Sequence, residues 1–325
     1  MTEPVRIPVG DGTPEGTNSA YFLPTESALV DPGPPTDGAW HDLRDGLAAA
    51  GRQLADVERI FVTHWHADHA GLACRLAEHA DATVHLHRRD APLVGDYASN
   101  RKRRVQRDRQ TLERWGVPEP IRDEVADGDD PSPIPDTYPV QCHDDGDRVG
   151  GIEFVHTPGH TAGHASLRTE SELFLGDLLL PTYTPNVGGS DTRLADPLGR
   201  YLESLRRVEA TDRTAYPGHG TTVDIHSAVP AVRQHHRERA AAAFTAVADA
   251  EESPTPWTVA TALFGELSGI HAKFGAGEAA AHLRRLAALD VVERLDGPPV
   301  RFRGRVDAYP TDRSLAPAAG LETER

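Results

Sequence analysis

The sequence predicts an α+β protein in two parts: strands with interspersed helices up to about residue 225, then a smaller unit of helices and one hairpin over residues 226–310. Short apolar runs punctuated by Gly, Pro and Asn fill the first part, and beyond His226 the texture turns helical. A third observation fixes where the chemistry lies. The stretch THWHADH, residues 63–69, crowds three histidines and an aspartate into the turn between an apolar strand and a helix.

The elements follow in order. VRIPV, NSAYFL and SALVD read as short strands with turns between them. Residues 36–50 have helical spacing, with Trp40, Leu43 and Leu47 on one face and Gly51 as the stop. VERIFVTH is a buried strand and HAGLACRLAEHA the helix after the histidine turn. That order puts the polar cluster at the carboxyl edge of a sheet, where open α/β architectures keep their sites. ATVHLH is another strand, residues 91–117 are helical and strongly basic, DGDDPSPIPD is a loop, and strands resume at GIEFVHT, HASLRT and ELFLGD. DPLGRYLESLRRVEA is a helix with Asp196 as N-cap and Pro197 in its first turn, and RTAYPGHG ends a further strand on a glycine-flanked histidine. From residue 226 come a helix, a break at SPTP, the helices WTVATALFGEL and GEAAAHLRRLAAL, and a hairpin around residues 296–299. Helix, helix, hairpin is the order of a small winged-helix unit, and residues 311–325 read as a flexible tail.

Composition narrows the function classes. A hydrophobic content of 38% over 325 residues allows a core of ordinary size. Acidic residues number 50 against 34 basic ones, for a net charge of −16, and only Lys102 and Lys273 are lysine. A surface of this kind suits a salt-rich cytosol, where ions screen the self-repulsion, so a halophilic protein that gains stability from low to molar KCl is expected. The same acidity argues against nucleic acid as the default partner. Cys74 and Cys142 have neither a disulfide framework nor zinc-thiolate spacing. The start MTEPVRIPVG lacks the apolar stretch of a signal peptide, and no apolar run is long enough for a membrane span. A soluble cytoplasmic protein without a membrane partner is the expectation.

Imidazole and carboxylate together suit zinc, iron or manganese. His64 and His66 are two apart and can point to one side of an extended turn, while Asp68 and His69 fall at the helix start and face a neighbouring point. Four ligands on one loop invite two divalent ions, whose shells need further ligands from strand ends downstream. His160 in HTPGHTAGH, Asp177 in LFLGD and His219 in YPGHG meet that need, each beside a glycine that lets backbone crowd close to an ion. Any one of these histidines alone is more often a packed or solvated side chain; the ordered set is what points to metal.

With these seven positions in order, the chain resembles the metallo-β-lactamase superfamily, whose pattern is H-x-H-x-D-H followed by His, Asp and His, over roughly residues 5–225. The resemblance implies a four-layer αββα sandwich with metals at one edge of its two sheets. It implies one ion held by His64, His66 and His160, a second held by Asp68, His69 and His219, and Asp177 bridging them. Asp31, in LVDPG, matches the family's early aspartate, which supports the metal loop. His164 takes a supporting place, since the family uses the first histidine of GHTAGH as ligand. Two such ions lower the pKa of a water between them towards 7, and the hydroxide attacks an acyl or phosphodiester centre, with Asp68 beside it to carry the proton.

Within the superfamily the chain is similar to the glyoxalase II-like branch that carries a C-terminal winged helix, through GDLLLPTYTPNVGG, DPLGRYLESLRRV and PGHG. That implies a hydroxyacylglutathione hydrolase-like enzyme acting on a small ester or thioester, with an endoribonuclease-type phosphodiesterase as the alternative. The alternatives of another class are a mononuclear iron persulfide dioxygenase, from a branch that usually shows cysteine where His164 stands, and a winged-helix nucleic-acid-binding protein. Its recognition helix would be GEAAAHLRRLAAL, which offers Arg284 and Arg285 but is mostly Ala and Leu, a composition that fits packing against the core or a second copy in a homodimer. In the basic stretch 101–109, Arg103 and Arg104 form a candidate anion clamp for coenzyme A phosphates or an RNA backbone; the plainer alternative is a solvated helix face balanced by Asp108 and Glu113.

Overall fold

Two sheets carry the histidine turn in the computed structural model, which describes residues 3–13 and 16–317. The first sheet holds β1 (Val5–Thr13), β2 (Gly16–Leu23), β3 (Ala28–Val30), β4 (Arg59–Val62), β5 (Thr83–His87) and β6 (Val140–His143), in that spatial order. Its first three strands pair antiparallel, and β3 through β6 pair in parallel. The second sheet holds β7 (Arg148–Val149), β8 (Ile152–His156), β9 (Ala165–Arg168), β10 (Glu172–Gly176) and β11 (Thr214–Pro217), antiparallel except for the parallel pair β10 and β11.

Side-chain alternation along the first sheet explains the layering. Tyr21, Leu23, Ala28, Val30 and Phe61 share one core with Phe154, Leu167 and Phe174 of the second sheet. The Tyr21 and Phe174 rings lie 5.3 Å apart and those of Phe61 and Phe154 5.8 Å apart, so the sheets meet through aromatic contacts. The intervening residues Ala20, Phe22, Leu29, Ile60 and Val62 point the other way, into a core completed by Leu43, Leu47 and Leu76. Those leucines come from α1 (Asp37–Ala49), capped by the Thr36 side chain, and, after the short α2 (Ala67–Ala70), from α3 (Ala73–Ala80). Burial on both faces is why these strands read as unbroken apolar runs.

The single helix expected over residues 69–80 is interrupted between α2 and α3. A Cβ on Gly71 would fall 2.3 Å from the Ala67 carbonyl oxygen, and the Leu72 N–H donates to Gly33 O at 3.0 Å, drawing the chain against the loop after β3. Residues 91–117 likewise divide, into α4 (Pro92–Gly95) and α5 (Tyr97–Arg114). Strands β6 and β7 were not expected: VQCH is polar and half open to solvent, and β7 has two residues.

The chain sorts into two compact units, each discontinuous in sequence. Both sheets belong to the first, Met1–Arg103, Pro131–Pro185 and Val208–Ala228; the second takes Arg104–Asp130, Asn186–Arg207 and Val229–Arg325. Besides residues 104–114 of α5, the second unit contains α6 (Glu119–Asp127), most of α7 (Pro197–Glu209) and α8 (Ile225–Ala248), then α9 (Pro256–Phe264), α10 (Gly269–Ala288) and the hairpin of β12 (Val292–Leu295) with β13 (Arg301–Gly304). A buried charge cluster ties this unit together. Lys273 Nζ lies 2.7 Å from Asp108 Oδ2, Thr192 donates to Asp108 Oδ1 at 2.6 Å, and Arg104 grips Asp129 through two bonds of 2.7 Å. Pairing is what makes a buried lysine tolerable. Of the two arginines expected as an anion clamp, Arg104 has its fork filled by Asp129, and Arg103 lies exposed.

The stretch expected to be a loose tail is held as far as Pro317. Leu315 is buried, and its carbonyl accepts from Arg285 Nε at 3.0 Å; the remainder, 318–325, lies outside the described residues. Among the described residues no helix is long and apolar enough to cross a membrane.

Candidate metal centre

The expected ligands come from loops at the carboxyl ends of β4, β8, β10 and β11, all in the first unit. The loop after β4 supplies His64, His66, Asp68 and His69; His160 follows β8, Asp177 follows β10, and His219 follows β11. The structure brings all seven together, in two groups of four atoms. In one, His66 Nδ1 lies 3.0 Å from both His64 Nε2 and His160 Nε2, and Asp177 Oδ2 lies 3.5 Å from His160 Nε2 and 3.9 Å from His64 Nε2. In the other, His69 Nε2 and His219 Nε2 each lie 3.4 Å from Asp68 Oδ2, and 3.4 and 3.6 Å from Asp177 Oδ1. Four ligands at about 2.1 Å around a tetrahedral ion stand about 3.4 Å from one another, so both groups have the spacing of a coordination shell. His69 Nε2 and Asp177 Oδ1 are buried without a hydrogen-bond partner, as donor atoms aimed at a cation would be.

The surrounding contacts aim these atoms. Asp31, at the end of β3, accepts from the Thr63 N–H and hydroxyl, both at 2.8 Å, and from His69 Nδ1 at 3.1 Å. The Thr63 oxygen in turn accepts from His64 Nδ1 at 3.1 Å. One carboxylate thus fixes the tautomer of two histidines, leaving the Nε2 lone pairs facing inwards. His219 Nδ1 donates to Gly16 O at 3.3 Å, with the same result. His164 is turned away from the ion positions: its Nε2 accepts the Asp177 N–H at 3.1 Å and its Nδ1 contacts Thr157 Oγ1 at 2.9 Å, so it positions the Asp177 carboxylate. Close packing demands glycine at two points. A Cβ on Gly176, whose φ is 51°, would fall 2.6 Å from Thr63 Oγ1, and one on Gly218 would fall 2.5 Å from Asp177 Oδ1.

Burial and charge divide the ligands. Burial drives His64 well below the usual imidazole range and His66 down to about 3. Burial also works against protonation of His69 and His219, but contact with Asp68 and Asp177 outweighs it, holding His69 well above its ordinary value and pushing His219 up to about 10. For Asp177, burial favours the neutral acid, yet His69 and His219 hold its carboxyl well below the carboxylate range.

Two contributors escaped the sequence reading. Asn18 Nδ2 donates to the Asp68 carbonyl at 2.9 Å and to Asp68 Oδ2 at 3.2 Å. Asp90 is fully buried and accepts from Thr161 Oγ1 at 2.6 Å, from Gly163 N at 2.8 Å and from Trp65 N at 3.3 Å, stapling the His160 loop to the His66 loop. The signal for Asp90 was its place just past β5, level with the other strand ends; Asn18 carries no comparable signal.

Comparison with known proteins places the fold and the family. A metallo-β-lactamase family protein from Thermus thermophilus superposes with a TM-score of 0.74 at 28% identity, covering 93% of this chain and 98% of that one. A β-lactamase-like protein 2 homolog of Caenorhabditis elegans is 27% identical over 66% of this chain and 59% of its own length. An atrochrysone carboxyl ACP thioesterase of Aspergillus aculeatus is 27% identical over 66% of this chain and 54% of its own. The chain therefore spans little more than half the length of these two relatives. The family model of the metallo-β-lactamase superfamily matches residues 12–219, a span that holds all seven converging side chains, and the chain belongs to that superfamily.

Proposed function

We propose that the chain is a hydrolase of small acyl thioesters or esters working with two divalent ions, zinc first, with iron or manganese as alternatives. The observation that carries this reading is the pair of four-atom groups joined through the two oxygens of Asp177. Divalent ions bound there would supply Lewis acidity and a water ionised near neutral pH. The protein's own part is positional. His64 and His66 are neutral and ready to ligate, and Asp31 holds the His69 ring in one tautomer. Asp68 is the acidic group of the centre open to solvent, its side chain 36% exposed against 8% for Asp177, and Asn18 holds it in place. It is the residue placed to take a proton from the reacting water and pass it outwards.

The thioester preference draws on the Aspergillus relative, whose name gives a thioesterase. We read α9, α10 and the hairpin as a winged-helix appendage, and its Arg285 argues against DNA reading because Asp196 holds that guanidinium at 2.8 Å. Metal analysis of the purified protein, followed by a panel of acyl thioesters, aryl esters and short RNAs, tests the proposal. Thioester turnover that disappears on chelation supports it. Cleavage of RNA with no acyl turnover would overturn it in favour of the phosphodiesterase alternative.

A further inference from the structure

The second unit contains a cavity of about 380 Å³, within the size range of small-ligand sites. It lies among the end of α5, the loop before α7, α10 and the β12–β13 hairpin, and its walls are fixed by packing. The Val300 N–H donates to Arg114 O at 2.9 Å, fastening the hairpin to the helix end. The loop is pressed against α10 so tightly that a Cβ on Gly277 would fall 2.3 Å from Gly189 Cα.

Its lining is unusual for this chain. Arg114, Arg193, Arg284 and Arg294 line it and no aspartate or glutamate does, although the chain as a whole carries −16. Arg193 is already gripped by Asp191, and Arg294 approaches Asp296 at 4.0 Å. Arg114 donates to Thr111 Oγ1 at 3.0 Å; among the described residues neither Arg114 nor Arg284 has a carboxylate partner. The rest of the lining includes the apolar side chains of Trp115, Phe302 and Pro256 beside Thr111 and Thr192. Guanidinium forks match phosphate oxygens, a phosphomonoester carries nearly two charges at neutral pH, and aromatic faces stack on bases.

We propose that this cavity binds a phosphorylated nucleoside, with Arg114 and Arg284 on the phosphate and Trp115 against the base. The site is independent of the metal centre's chemistry and stands whether or not the chain is a thioesterase. Calorimetric titration of the full-length, metal-loaded protein with adenosine monophosphate, adenosine, inorganic phosphate and a short oligoribonucleotide tests it. The monophosphate should bind one per chain, at least about tenfold more tightly than adenosine or phosphate alone, and Arg114→Ala or Arg284→Ala should each weaken it about tenfold, Arg284→Lys less. Both side chains are exposed, so melting temperatures should be unchanged and the loss should report binding. Asp177→Ala should leave the affinity as it was. Equal affinity for adenosine, indifference to both arginine substitutions, loss of binding in Asp177→Ala, or binding of the oligonucleotide alone would each overturn the proposal.

Discussion

His64 and His69 stand on one loop with ring centres 4.2 Å apart, both buried, yet their protonation is driven in opposite directions. The half of the centre around His64 sets three imidazoles against a single carboxylate oxygen, and at His64 and His66 burial wins. The half around His69 sets two imidazoles among Asp68 and Asp177, with Asp31 behind, and the carboxylates win. In the metal-free protein His64 and His66 therefore offer lone pairs at once, whereas His69 and His219 hold protons where a cation would sit. The same residue type, a few ångströms apart, is prepared differently by its acidic neighbours.

The largest effect should come from the residue common to both halves. Asp177→Ala removes an oxygen from each group and should lower turnover by more than about 100-fold, with both ions reduced in metal analysis; full metal content with unchanged turnover would break the account. The next test is pH. His219 keeps its proton below about 10 and must lose it to ligate, so affinity of the second half should rise with pH by about tenfold per unit for each proton displaced. His64 and His66 should contribute little to any change over the same range, because His64 is held well below the usual imidazole range and His66 stays neutral down to about 3. Metal content measured at mildly acidic and mildly alkaline pH would show one ion lost before the other; parallel loss would remove the contrast.

Asp31→Asn takes the carboxylate from behind His69 and should weaken metal binding about 10- to 100-fold, chiefly in the second half, read as a lower affinity in competition with a chelator. Asn18→Ala removes two contacts to Asp68 and should cost only about fivefold in kcat, with KM and metal content retained.

Much of this centre was legible because its ligands are chemically rare at strand ends and lie close in sequence. THWHADH places four of them on one loop, and glycines mark the positions of His160, Asp177 and His219. The apolar runs of β2, β3 and β4 were equally plain, since burial on both faces leaves no polar residue to blur them. Strands β6 and β7 were not: in β6 only Val140, packed against the core, and His143, stacked on Phe154, turn inwards from a polar VQCH, and β7 has two residues. Asn18 was hidden for another reason: its role exists only because a bridge to His219 brings the start of β2 to that loop. The interleaving of residues 104–130 and 186–207 into the second unit follows from long-range contacts such as Lys273 with Asp108, which no local pattern announces.

Anomalous diffraction from crystals of the metal-loaded protein tests the central claim most directly. Two peaks about 3.5 to 4 Å apart are expected, one among His64, His66 and His160 and the other among Asp68, His69 and His219, with Asp177 touching both. A single peak, or none within reach of Asp177, would contradict it.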